Sequence, residues 1–402
     1  MKAAPLPLEE AQARLLALVE PLPLERVDCD SAHLRYLAQP LVARRTQPAC
    51  DLSAMDGYAV QAASIRGPWG LVGDSAAGHP FAGTVGAGEA VRISTGAMMP
   101  AGADAVVLQE DVARDGADVR LTGEPPSPPG RHVRRRGLDF ADGDQLLAAG
   151  TRLGAAHVAL ARASGHNLVP VHRLPRVTVI DSGDELAADA EACGAHQLPA
   201  SNGTMLSALV REHLACPVTR SGPVTDRLDA LLAAFEAAGD ADVIVTSGGA
   251  SVGDHDLIRP ALEAWGADIE FWRVAIKPGK PILVARRGAQ LVIGLPGNPV
   301  SSFVTAFLFV LPVLRRMAGA SRCLPQWIPA NLAVSLAPGG NRQEFLRASW
   351  DGFQVSTQRV QDSSALASLA FSNALIDRPA GAPAAPAGCS VPVYLLGNGG
   401  IA

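Results

Sequence analysis

The alternation of apolar and polar positions changes character along the chain. Between about 176 and 320, short apolar runs trade places with helical stretches: "RVTVIDSGDEL", "SNGTMLSALVREHL", "DRLDALLAAFEAAG", "ADVIVTSGG", "HDLIRPALEAWG", "IEFWRVAIKPG", "QLVIGLPGN" and "PVSSFVTAFLFVLPVLRRM". Strand and helix signals in alternation predict a doubly wound, mostly parallel sheet with helices on both faces, here residues 173–324. Residues 45–136 are rich in Gly, Pro, Val and Thr, with short strand-like pieces such as "AVRISTG" and "DAVVLQE" and no sustained helical period. They predict a β-rich lobe. Its flanks, 1–44 and 137–172, both carry helical stretches and are expected to pair into one elongated, helix-containing linker domain that the lobe interrupts. After Pro325, short alternating runs separated by Gly and Pro ("EFLRASW", "FQVSTQRV", "ALIDRP", "SVPVYLL") predict a small β-barrel over 325–402. The expected fold class is therefore α/β plus β, in several domains.

Composition narrows the class of function. The chain has 402 residues, 48% of them apolar, with 40 Gly, 31 Pro and a formal net charge of −5. That charge supplies no basic field for nucleic acid and no cationic amphipathic segment for a membrane surface. An anionic ligand must then be held by local basic side chains and backbone amides. The six cysteines include no C-x-x-C pair, which points away from a zinc cluster and towards reduced thiols in a cytoplasm. The apolar run "SFVTAFLFVLPVL" at 302–314 is too short to span a bilayer and contains Pro312.

In open α/β sheets, ligands bind outside the carboxyl ends of the strands, so the loops that follow each strand are where chemistry is expected. "DSGDEL" presents Ser182, Gly183, Asp184 and Glu185; "TSGGASVGDHD" presents Ser247, Gly248, Gly249, Ser251 and Gly253; "LPGNP" presents Pro296, Gly297, Asn298 and Pro299. Each loop can aim N–H groups at an anion, and Asn298 as cap with Pro299 at the first helical position would expose a helix N-terminus to phosphate. "AIKPGKP" adds Lys277 and Lys280 on a Pro-Gly turn, suited to an oxyanion. Asp226 and Asp256 fall beside these loops, either as helix caps or as hard oxygen ligands of a Mg²⁺ ion.

Gly249-Ala250-Ser251-Val252-Gly253 also matches G-x-S-x-G, the elbow of a serine hydrolase. That triad runs Ser, acid, His along the chain, and the last histidine, His255, lies four residues after Ser251 with none beyond Asp256. The elbow reading fails, and the loop is better read as an anion cradle. A second cluster lies in the lobe and its border: Asp56 in "SAMDGYAV", Thr95 in "ISTGAMMPAGADAVV", Arg134 and Asp139 in "RRRGLDF". Arg347 in "NRQEFLRASW" and Ser363 in "QDSSALASL" belong to the last domain.

Taken in order, "SAMDGYAV", "ISTGAMMPAGADAVV", "RRRG", "SGDEL", "SNGTML", "TSGGASVGDHD", "AIKPGKP", "GLPGNPVSS" and "EFLRA" resemble the molybdopterin molybdenumtransferases, the family of MoeA-like proteins and the catalytic end domain of gephyrin. The resemblance implies a homodimer with a shared active site. The βα domain would bind adenylylated molybdopterin and the β lobe with Asp56 and Thr95 would come from the partner subunit. It further implies insertion of molybdate with release of AMP, dependent on Mg²⁺ or another divalent cation. The functional positions by motif are Asp56, Thr95, Arg134, Asp139, Glu185, Asp226, Asp256, Lys277, Lys280, Arg347 and Ser363. Lys277, Lys280 and Arg347 would share the anions, Asp226 and Asp256 the metal, and Glu185 would position the pterin or a water. Other cofactor-maturation proteins and apo-molybdoenzymes are implied as further partners. Asp362 stands where the family usually has Gly before the serine, and Asp181 stands before "SGDEL" in place of a serine or an apolar residue. The rival readings are a molybdopterin adenylyltransferase or a CinA-like nucleotide pyrophosphatase on the same α/β domain, neither of which needs the β lobe, and a non-catalytic scaffold.

Overall fold

A computed structural model describes residues 4–248 and 257–397. The central sheet contains six strands in the order Val218–Val224, Val177–Ser182, Val243–Ser247, Gln290–Leu295, Pro281–Arg287, Asp268–Arg273. The first four run parallel and the last two complete it as an antiparallel pair, which gives the mixed but mainly parallel sheet its two kinds of edge. Period-2 burial explains why both faces are covered. Val177, Val179, Val243, Val245, Leu291 and Ile293 enter one core, while Ile180, Ile244, Val292 and Leu283 enter the other. Helices Leu228–Ala237 and Ile258–Ala264 cover the second face, and Asn202–His213 with the long helix from Pro299 to Met317 cover the first.

That long helix, 19 residues, is apolar and long enough on those grounds to cross a membrane, yet it is almost entirely buried among the other elements. It passes through a π-helical turn at Ala306–Val310 just before Pro312. Proline has no N–H to offer the carbonyl four residues back, that of Leu308. Gln12 Nε2 donates to that oxygen at 2.8 Å. The donor comes from the amphipathic helix Leu8–Leu16, whose Leu8, Ala11 and Leu15 join the same core. This helix therefore packs on the α/β unit, where the sequence expectation placed it within the 1–44 linker segment.

The rest of the two flanking segments does meet: Leu24–Asp28 pairs antiparallel with Leu168–His172, and Leu41–Val42 with Gln145–Leu147. Between them lies a six-stranded sheet in the order Ala105–Leu108, Gly57–Val60, Glu89–Ile93, Trp69–Ser75, Asp118–Leu121, Val112–Asp115. Near the C-terminus, strands Gln343–Trp350, Gln354–Thr357, Trp327–Leu332, Ser390–Leu395 and Ala374–Arg378 close on themselves, because the last pairs back with the first. The result is a five-stranded barrel around Leu332, Ala348, Val355, Ile376 and Val393. Strand Ile276–Lys277 pairs with Gln343–Trp350 of this barrel, so the "AIKPGKP" turn bridges barrel and central sheet where the sequence placed it beside the sheet alone.

Candidate active site

The carboxyl ends of two parallel strands, Val177–Ser182 and Gln290–Leu295, open onto one cleft of about 600 Å³. Its walls come from the loops after Val177–Ser182 and Gln290–Leu295, from the start of helix Asn202–His213, and from Ser364 and Leu366 of the barrel domain. Tight backbone packing makes this convergence work. Gly248 ends its strand at φ +100°, and a Cβ there would press to 3.1 Å on the Ser182 carbonyl. Gly183 lies beneath the Glu185 carboxylate, where a Cβ would meet Oε2 at 2.6 Å. Both positions call for glycine.

A side chain that the sequence did not single out ties the rim together. Asn202 Nδ2 donates to Ser247 Oγ at 2.8 Å and to the Gly297 carbonyl at 2.7 Å, coupling two loops. The "SNGTML" match contained it, but nothing in the spacing said that its amide would bridge strands. At the next residue, the Gly203 N–H donates to the buried Asp181 Oδ2 at 3.1 Å, and Arg220 approaches the same oxygen at 3.7 Å. Burial raises the Asp181 pKa against the opposing pull of Arg220, and Oδ1 has no hydrogen-bond partner.

Asn298 occupies the cap position before Pro299, but its side chain makes no capping bond. Its Nδ2 donates instead to Ser363 Oγ at 3.1 Å, and the Val300 N–H donates to the Ser363 carbonyl. The expected cap is thus replaced by a strut from the barrel domain, which leaves the helix N-terminus without a side-chain cap. Asp226 does not cap either, since the following helix begins at Leu228 after Arg227. Its N–H donates to Asp184 Oδ1 at 3.0 Å, and the Asp184 backbone hydrogen-bonds back to its carboxylate. Burial, then the charges of Asp184 and Glu185, raise the Asp226 pKa. This concentration of negative charge favours a cation. Among the described residues no three metal-ligating side chains gather at one point.

Lys277 Nζ pairs with Glu344 Oε1 at 2.9 Å, so one of the two expected anion-binding lysines has a carboxylate partner, while Lys280 is exposed. Arg347 departs further from expectation. It is 1% exposed, and its guanidinium donates to Ser368 Oγ and the Val360 carbonyl inside the barrel domain. It braces the segment leading to Ser363 and is not presented to the cleft. Ser251, Gly249, Gly253 and Asp256 lie outside the described residues.

In the lobe, Asp56 Oδ1 accepts from the Thr95 N–H at 2.6 Å and from its hydroxyl at 3.0 Å. Those bonds hold the Asp56 carboxyl below its ordinary range, an exposed anion with a hydroxyl beside it. Arg134 and Asp139 are exposed nearby in sequence, and Arg135 of the same triplet pairs with Asp51 at 2.6 Å. Among the described residues, none that lines the cleft comes from this lobe.

Comparison with known proteins accounts for the linker and lobe, the α/β unit and the barrel. Residues 6–165 match the family described as MoeA N-terminal region (domain I and II), residues 178–316 match the probable molybdopterin binding domain, and residues 329–396 match the MoeA C-terminal region (domain IV). The domains are those of a multidomain protein of molybdenum cofactor biosynthesis. A molybdopterin molybdenumtransferase of Nostoc sp. is 36% identical, covering 89% of this chain and 85% of the relative; one of Haemophilus influenzae is 33% identical, covering 92% and 94%. The crystal structure of the molybdopterin biosynthesis moeA protein from Pyrococcus horikoshii superposes with a TM-score of 0.82 at 27% identity, covering 98% of this chain and all of that one. The chain belongs to the molybdopterin molybdenumtransferase family. Matches to both the N-terminal and C-terminal regions disfavour an adenylyltransferase or pyrophosphatase built on the α/β unit alone.

Proposed function

We propose that this chain inserts molybdate into adenylylated molybdopterin with release of AMP, in the cytoplasm, as a homodimer whose two active sites each draw on both subunits. The observation that carries this reading is the convergence of the strand-end loops on one cleft, locked by Asn202 and closed by the barrel domain. Both reactants are oxyanions. The dipole of the helix that starts at Pro299, which has no side-chain cap, and the Lys280 ammonium favour negative charge there. Lys277 exchanges its Glu344 contact for substrate. Glu185, folded over Gly183 at the cleft wall, orients the pterin or a water.

Mg²⁺ keeps several waters and needs only one or two protein carboxylates. Asp226 fits such a role, because its neighbours Asp184 and Glu185 penalise its bare charge. Asp256 is the second acid of that proposal. When bound, the ion would neutralise charge on the phosphoanhydride. From the partner, Asp56 and Thr95 would enter as an anion and a hydroxyl donor over the exposed side of the cleft.

Incubating the purified chain with adenylylated molybdopterin should yield AMP only when molybdate and Mg²⁺ are both present. Asp226→Asn should cut that release by about tenfold or more while leaving pterin affinity within about threefold. ATP-dependent formation of the adenylylated pterin by the wild-type chain, without molybdate-triggered AMP release, would refute the reading.

A further inference from the structure

At the far end of helix Asn202–His213 from the cleft lies a separate cavity of about 430 Å³. The helix has 12 residues, which puts its two ends about 16 Å apart. The two concavities share no wall residue. Arg152 from the linker, Arg315 from the end of the long buried helix, and Arg322 from the loop after it line this one. Among the described residues, none that lines it is acidic.

Some arginines elsewhere have a carboxylate partner, as Arg316 has Glu20, Arg173 has Asp242 and Arg35 has Glu25. Among the described residues, none of the three cavity arginines has a carboxylate within ion-pair reach. Glu212, one residue before the cavity's His213, lies instead against Gly397. Arg152 spends one Nη on the His213 carbonyl at 2.9 Å, and Arg315 spends one on the Cys323 carbonyl at 3.2 Å and also hydrogen-bonds the Tyr36 side chain of the same wall. These anchors fix the forks in place. Burial and the charge of Arg152 lower the pKa of Arg315, and burial with the same two cations pushes His213 down to about 4. Among the described residues no carboxylate offsets these like charges, so an anion would be favoured.

Guanidinium forks suit phosphate oxygens. The remaining wall is apolar, with Phe307, Leu324 and Leu395, and the space falls in the range of small-molecule sites. We infer that this cavity binds a phosphate monoester, its phosphate between Arg152, Arg315 and Arg322 and a compact apolar or aromatic group against Phe307. The linker, the α/β unit and the barrel domain all contribute to it, so the ligand braces their junction.

Phenyl phosphate and inorganic phosphate serve as probes, titrated calorimetrically into the full chain. K277Q/K280Q removes the lysines of the catalytic cleft and isolates this site. Phenyl phosphate should bind that variant more tightly than inorganic phosphate does. Adding R152Q and R322Q, both exposed positions, should weaken phenyl phosphate by about tenfold or more without lowering the unliganded melting temperature. No binding to K277Q/K280Q at millimolar concentration, or equal affinity with and without R152Q/R322Q, overturns the site. Equal affinity for the two probes overturns the monoester assignment.

Discussion

His213 shows how one side chain can report its surroundings. Its folded pKa of about 4 lies below the ordinary 6.5, so from about pH 6.5 downwards the unfolded chain takes a proton that the folded chain refuses. Stability is thus lost as pH falls through that window and is unaffected above it. His213→Gln, which cannot titrate, should flatten the fall in melting temperature between about pH 6.5 and 4; an unchanged pH profile would contradict the burial account. At this scale the sequence revealed residue types better than their partners. Ser363 and Asn298 were both singled out, but their mutual hydrogen bond joins positions 65 apart, and no local pattern encodes such a contact. The "EFLRA" match assigns Arg347 to the anions, and only the closed barrel reveals that its side chain is interior.

At the scale of elements, period-2 and helical alternation were enough to anticipate the central sheet and the barrel, since each face has to be buried. The alternation could not say which helix covers which unit. Helix Leu8–Leu16 has an ordinary amphipathic pattern, and on docking Leu8, Ala11 and Leu15 into the α/β core it also brings Gln12 to the buried Leu308 carbonyl that the missing N–H of Pro312 leaves free. Gln12→Ala should therefore destabilise the chain by about 1–3 kcal/mol, the cost of an unsatisfied buried acceptor, read as a lower urea midpoint. A loss below a few tenths would mean that the π-helical turn satisfies Leu308 by itself. Neither effect should alter AMP release per folded molecule.

For the whole molecule, the motifs fixed the order of the units, and the chemistry of the strand-end loops indicated where anions go. What they could not supply was the position of the lobe relative to the cleft, because within one subunit Asp56 and Thr95 are not among the residues that line it. The proposed dimer resolves this by crossing subunits, as twofold symmetry allows for two equivalent sites. Mixing subunits tests that claim most directly. Asp56→Asn and Lys277→Gln chains, each inactive alone, are unfolded and refolded together in equal amounts, and molybdate-dependent AMP release is measured. Half of the resulting dimers carry one of each chain, and in these one of the two sites pairs an intact lobe with an intact rim, so activity should return to about a quarter of wild type. No recovery from dimers shown to be mixed would contradict a site built from both subunits.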